Sequence, residues 1–82
     1  MEFKDNIPIY LQIEQYLYRQ IALGKMKAGE KIPSVRKLAL ELTVNVNTVQ
    51  RALQEMNMQG ILYTKRDEGN FVIVDTVLFS YT

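Results

Sequence analysis

The stretch "LTVNVNTVQRAL", Leu42 to Leu53, decides how this 82-residue chain folds. Its first half is Thr, Val and Asn, the composition of a strand or a loop, and Arg51 is its only charge. Its flanks point elsewhere. Before it, in "VRKLALEL", Val35, Leu38, Ala39 and Leu42 recur at helical spacing, and at its end, in "VQRALQEM", Val49, Ala52, Leu53 and Met56 do the same. Ser34 is a natural N-cap for the first helix. Asn45 can cap the second by bonding the N–H near Thr48, because a short side-chain oxygen satisfies a donor that the first turn leaves open. Only about three or four residues then join the two helices, which lets the second cross the first steeply. Small Ala39 allows close approach, Val44 fills the corner, and Val49 faces back into the junction. Thr43 falls where a glycine with positive φ is usual, so a slightly strained backbone is expected there.

Working outward, Pro8 sits where a helix likes to begin, since its missing N–H is one the first turn leaves unbonded. Ile9, Ile13, Tyr16, Leu17 and Ile21 then recur at three- and four-residue spacing and Gly24 supplies a stop, which predicts a helix over roughly 8–24. "KMKAGEK" is a loop turning at Ala28-Gly29, and Ile32 is extended because it precedes Pro33. Gly60 ends the third helix. Beyond it the period changes: "ILYTKR" and "NFVIVD" are rich in β-branched and aromatic residues and flank "DEG", where glycine can take positive φ, so they form a β-hairpin. "DTVLFSYT" carries Val77, Leu78, Phe79 and Tyr81 with no place in so small a core. The expected division is a domain over 1–75, with 76–82 starting a linker or a C-terminal dimerisation or effector segment absent from the chain.

Three helices followed by a two-stranded wing is the order of a winged helix-turn-helix, mainly α with a small β-hairpin. The third helix, about 45–59, then presents Val46, Asn47, Thr48, Gln50 and Arg51 with few apolar neighbours to claim them. In a major groove, Asn and Gln pair bidentately with adenine, Arg pairs with guanine or phosphate, and Val46 or the Thr48 methyl touches a thymine methyl. Net charge is only +1, which by itself argues nothing for nucleic acid. The distribution does: from Lys31 to Arg66 the cations are Lys31, Arg36, Lys37, Arg51, Lys65 and Arg66 against Glu41 and Glu55. Tyr10, Tyr16, Tyr18 and Phe71 are expected to pack the first helix against the hairpin, with Tyr63 left open for base stacking.

Four segments, "PIYLQI", "KIPSVRKLALEL", "VNVNTVQRAL" and "GILYTKRDEGNFV", in this order and spacing resemble the DNA-binding domain of the GntR family of bacterial transcription regulators, most closely its YtrA-like subfamily. The resemblance runs from about Pro8 to Val74. It implies a repressor-type regulator that binds a palindromic operator as a two-fold dimer when its C-terminal region is present. The "PSxR" motif places a DNA contact at Ser34 and Arg36, the opening of the recognition helix falls on Asn45 to Thr48 and Gln50, and the wing, about 61–74, has its tip at Arg66 to Asn70, including Gly69. Lys65 and Arg66 take phosphate roles. The chain departs from the family in having Val46 and Gln50 where many members carry arginine, and "DEGN" where the wing usually has "GxGT". Readout therefore shifts towards amide and methyl contacts, and Asp67 and Glu68 set two carboxylates near the phosphate path.

Other classes find less support. An enzyme has little to work with, since the chain contains no His and no Cys, no glycine-rich phosphate loop and no paired carboxylates in a pocket. No cofactor is called for, and no effector is named by these residues. Lack of cysteine fits a reducing cytoplasm, and no stretch approaches the roughly 18–20 apolar residues of a membrane span. The alternative reading is a winged helix used for protein-protein contact, to which the acidic wing tip lends itself.

Overall fold

Five elements follow in the order expected, α1 (Ile9–Ala22), α2 (Val35–Leu42), α3 (Val46–Met58), β1 (Leu62–Lys65) and β2 (Gly69–Val72), in a computed structural model that describes residues 4–73. Val74 and the expectation for 76–82 lie outside the described residues. Pro8 is the residue just before α1, and its carbonyl accepts from the N–H groups of Leu11 and Gln12. The buried stripe of α1 is Gln12, Ile13, Glu14 and Leu17, whereas Ile9, expected to be inside, is 42% exposed. Gln12 takes an inner place because its amide closes the N-terminal turn: Nε2 donates to the Lys4 and Ile7 carbonyls and Oε1 accepts from the Lys4 N–H, each at 2.8 Å.

α2 and α3 meet as the spacing predicts. Ser34 Oγ accepts from the Lys37 N–H, and Thr43 ends α2 in the left-handed region at φ 57°. The chain thereby turns within three residues, Val44 donating back to the Ala39 carbonyl at 2.9 Å. Asn45 caps α3, but through the N–H of Asn47 at 2.8 Å; the Thr48 N–H is taken by the Asn45 carbonyl instead. Leu38, Ala39 and Leu42 from α2 join Val49, Ala52, Leu53 and Met56 from α3 in the core.

α1 and α3 run parallel. Tyr10 meets Arg51, Glu14 meets Glu55 and Tyr18 meets Gln59, so successive turns of one helix face successive turns of the other at a constant offset. Along the hairpin, side chains alternate between two faces. Leu62 and Val72 pair and point into the core, Thr64 and Asn70 pair on the same side against α3, and Tyr63 and Phe71 pair on the other face with ring centroids 5.6 Å apart. Phe71 therefore stacks on Tyr63, contrary to the expectation that it packs against α1.

The hairpin is also bridged by a short extended segment whose pairing periodicity did not reveal. Lys31 forms an antiparallel bridge with Phe71, the Ile32 N–H donates to the Asn70 carbonyl at 3.0 Å, and the Val72 N–H donates to the Glu30 carbonyl at 2.9 Å. Three residues are too few for an alternating pattern, and Pro33 stops the pairing at once. Ile32 turns into the core at 3% exposure, so the segment leading into α2 is held to the wing. Among the described residues no helix is long and apolar enough to cross a membrane.

Candidate nucleic-acid interface

The first turn of α3 is presented rather than packed. Asn45, Val46, Asn47 and Gln50 are exposed and Thr48 is half-buried, while Val49 beneath them is fully enclosed. Capping by Asn45 leaves the Val46 N–H outside the helix's own bonding, and the helix dipole adds partial positive charge at that end. α2 delivers a cation to the same place: exposed Arg36 borders a shallow depression with Leu40, Thr43, Asn45 and Val46. Ser34 is committed as a cap acceptor, which leaves its hydroxyl hydrogen free to donate.

Arg51 belongs elsewhere. One residue on from Gln50, it is turned about 100° around the helix, and its guanidinium lies 3.9 Å from the centroid of the Tyr10 ring. It braces α3 against α1, and the structure does not group it with Asn47 and Gln50. Another stripe of α3 continues the exposed face instead. Gln50, Gln54 and Asn57 line an open cleft of about 290 Å³ whose far wall is Thr64 and Asn70 of the hairpin. Gln54 and Asn57 were missed by sequence reasoning, although their positions four and seven residues beyond Gln50 continue its face.

At the wing, Arg66 is exposed in the turn. Lys65 is exposed too, but its ammonium lies 4.7 Å from the Phe71 ring centroid, an attraction that a phosphate has to compete with. Gly69 adopts φ 114°, which side-chain-bearing residues rarely take, so the backbone requires glycine there; the nearest atom to an added Cβ, Lys31 Cε at 3.0 Å, is the end of a flexible side chain and can move aside. Asp67 has φ 65°, at the first position of "DEGN". Asn70 is not free at the tip: its Oδ1 accepts from Asn57 Nδ2 at 3.0 Å and lies 2.8 Å from Thr64 Oγ1, whose one hydrogen it shares with Asn57 Oδ1.

Behind the interface lies a polar seam. Glu14 is 3% exposed, and among the described residues its Oε2 has no hydrogen-bond donor. Burial raises its pKa to about 7, reinforced by the hydrogen bond and the negative charge of Glu55, while a Gln59 hydrogen bond and the Arg51 charge pull the other way. A proton on Glu14 supplies the donor the carboxyl pair lacks. The same burial, with Glu14 and Glu55 nearby, raises the pKa of Tyr18.

α2 and α3 joined by a three-residue turn over a shared core, an exposed helix start beside a cation, and a hairpin packed at the helix's flank define the winged helix-turn-helix class of regulatory domains. Within that class, the model of the family described as "Bacterial regulatory proteins, gntR family" matches residues 9–72, and the chain belongs to this family. It is 41% identical over 69 residues to the HTH-type transcriptional repressor YtrA of Bacillus subtilis, matching 84% of this chain and 53% of the repressor. A solved GntR family transcriptional regulator from Listeria monocytogenes superposes with a TM-score of 0.92 at 40% identity, over 96% of this chain and 69% of that one. AraR(DBD), solved in complex with operator ORX1, superposes with a TM-score of 0.81 at 28% identity, over 87% of this chain and 92% of that one. The chain spans little more than half the length of the curated relatives it matches first.

Proposed function

We propose that this chain is the sequence-specific DNA-binding part of a transcription regulator, a repressor by its resemblance to YtrA. The observation that carries the reading is the exposed, capped start of α3 set beside Arg36, in a fold shared with AraR(DBD) on its operator. Residues 45–59 enter the major groove, where Asn47 and Gln50 read base edges with amide groups and Val46 and Thr48 offer methyl contacts. Arg36, with Ser34 beside it and the N-terminus of α3, holds the sugar-phosphate backbone; Arg66, Lys65 and Gly69 approach a neighbouring stretch of it. Residues 1–75 make up this unit, and the two-fold dimer on a palindromic operator, like any effector response, involves sequence beyond it. Such a regulator works in the cytoplasm, where the operator is.

Selection of sites from a random duplex pool, followed by salt titration, tests the reading. Binding is expected to weaken steeply as salt rises, because phosphate contacts release counterions. Asn47→Ala or Gln50→Ala costs about 1–3 kcal/mol on the selected sequence and relaxes preference at one position, whereas Arg36→Ala weakens binding to all sequences. A salt slope near zero would instead favour a surface for protein contact.

A further inference from the structure

Asn57 spends its whole carboxamide on joining α3 to the hairpin. Its Nδ2 donates to the Leu53 carbonyl at 2.9 Å and to Asn70 Oδ1 at 3.0 Å, and its Oδ1 lies 3.0 Å from Thr64 Oγ1, whose one hydrogen it shares with Asn70 Oδ1. The Leu53 carbonyl can only accept, so it fixes which end of the Asn57 amide faces it. The second hydrogen of Asn57 Nδ2 then requires an acceptor, which fixes Asn70 with its oxygen inward. Thr64 Oγ1, 2.8 Å from that same oxygen and carrying a single hydrogen, reinforces the choice without needing it. Among the described residues, no acceptor takes the two hydrogens of Asn70 Nδ2. Asn70 lines the open cleft with Gln50 and Gln54, between the recognition helix and the wing.

We infer that Asn57 is a positioning residue for DNA binding, setting Asn70 as a dedicated hydrogen-bond donor to a phosphodiester oxygen that lies over this cleft. The inference rests on the DNA-binding reading above and deepens it. A carboxamide free to rotate presents either end to a phosphate, and the oxygen end is repelled; the bracket removes that choice. It also keeps the spacing between α3 and the hairpin fixed, so helix and wing meet the duplex as one body.

Two isosteric substitutions test it in the whole chain, with a random-sequence duplex as the probe. Asn70→Asp keeps the inward acceptor for Asn57 and Thr64 but replaces the outward donor with a carboxylate oxygen. It is expected to leave the melting temperature near that of the wild type while weakening duplex binding about tenfold or more, the loss of a hydrogen bond to a charged group. Asn57→Asp leaves residue 70 untouched, yet its carboxylate draws the Asn70 NH2 inward and turns the oxygen out. In ¹⁵N-resolved NMR the Asn70 side-chain NH2 of the wild type should shift when duplex is added, and in Asn57→Asp it should not, with binding weakened to a similar degree. A merely structural bracket would not move that resonance with DNA. Wild-type-like binding by Asn70→Asp, or an Asn70 amide indifferent to duplex in the wild type, would overturn the inference while leaving the functional reading intact. Wild-type binding that is absent or insensitive to salt would overturn that reading, and the role of Asn70 with it.

Discussion

Thr43 and Glu14 each hold a conformation or a charge state that its residue type does not favour. At φ 57°, Thr43 is a β-branched residue in the left-handed region, where a Cβ crowds the backbone at a cost of about 1–2 kcal/mol. Part of that is recovered by glycine and part is lost to glycine's larger unfolded-state freedom. Thr43→Gly is therefore expected to stabilise the domain by roughly 0.5–1 kcal/mol in urea denaturation. Asp67 is in the same region, which Asp enters more readily than a β-branched residue does. That is how "DEGN" forms a wing turn with an Asp at its first position. Glu14 is the larger liability. Its native pKa of about 7 lies above the ordinary carboxylate value, so the native state binds more protons than the unfolded one between the two. The stability this contributes is full below the unfolded pKa and is lost as pH rises through about 7. Melting temperatures should fall between pH 5 and 8 in the wild type, whereas Glu14→Gln, which carries a permanent donor for Glu55, should give a flatter profile. Above pH 7 the variant should be the more stable, by on the order of 2 kcal/mol.

At the scale of elements, α3 divides its circumference three ways, and only two of the divisions were legible. Val49, Ala52, Leu53 and Met56 announce the buried stripe by spacing, and Asn45 announces the start, because both signals are local in sequence. Ser34 and the Thr43 turn were legible for the same reason. The outward stripe of Asn47 and Gln50 was legible as whatever the core did not claim. The third division, Arg51, Glu55 and Gln59 against Tyr10, Glu14 and Tyr18, was not, since it depends on a partner 41 positions away and on how the two helices are set. A lone arginine after Gln50 carries no sign of the ring it will cover. Arg51→Ala is accordingly expected to cost about 0.5–1 kcal/mol of stability through the lost cation–π contact and to leave base preference unchanged in site selection. The same change removes a positive charge that favours ionised Glu14, so the Glu14 pKa should rise further. Asn57, Thr64 and Asn70 escaped for a related reason: polar residues on two elements become a bracket only when strand register sets Thr64 opposite Asn70.

Taken as a whole, the molecule has one core and little reserve. A domain of this length is stabilised by roughly 0.05–0.15 kcal/mol per residue, so the entire margin is of the same order as one or two core side chains. Leu53 is 2% exposed where α3 meets the other elements. Leu53→Ala is expected to cost about 2–5 kcal/mol, enough to leave a substantial fraction unfolded at 37 °C by circular dichroism. Neither α2 nor the hairpin has enough apolar surface to survive alone, and each depends on α3.

The bridge that Glu30 to Ile32 make to the hairpin bears on how the molecule assembles in time. Its partners, Asn70 to Val72, lie some forty positions later, beyond both α2 and α3. Closing so long a loop early is entropically unfavourable, whereas the two helices between these segments and the β1–β2 turn form through contacts close in sequence. The Ile32 and Val72 amides are therefore expected to pair after the β1–β2 turn has formed, closing a ring of chain that has α3 inside it. While that ring is closed, the hairpin that flanks α3 is tied to the segment that leads into α2.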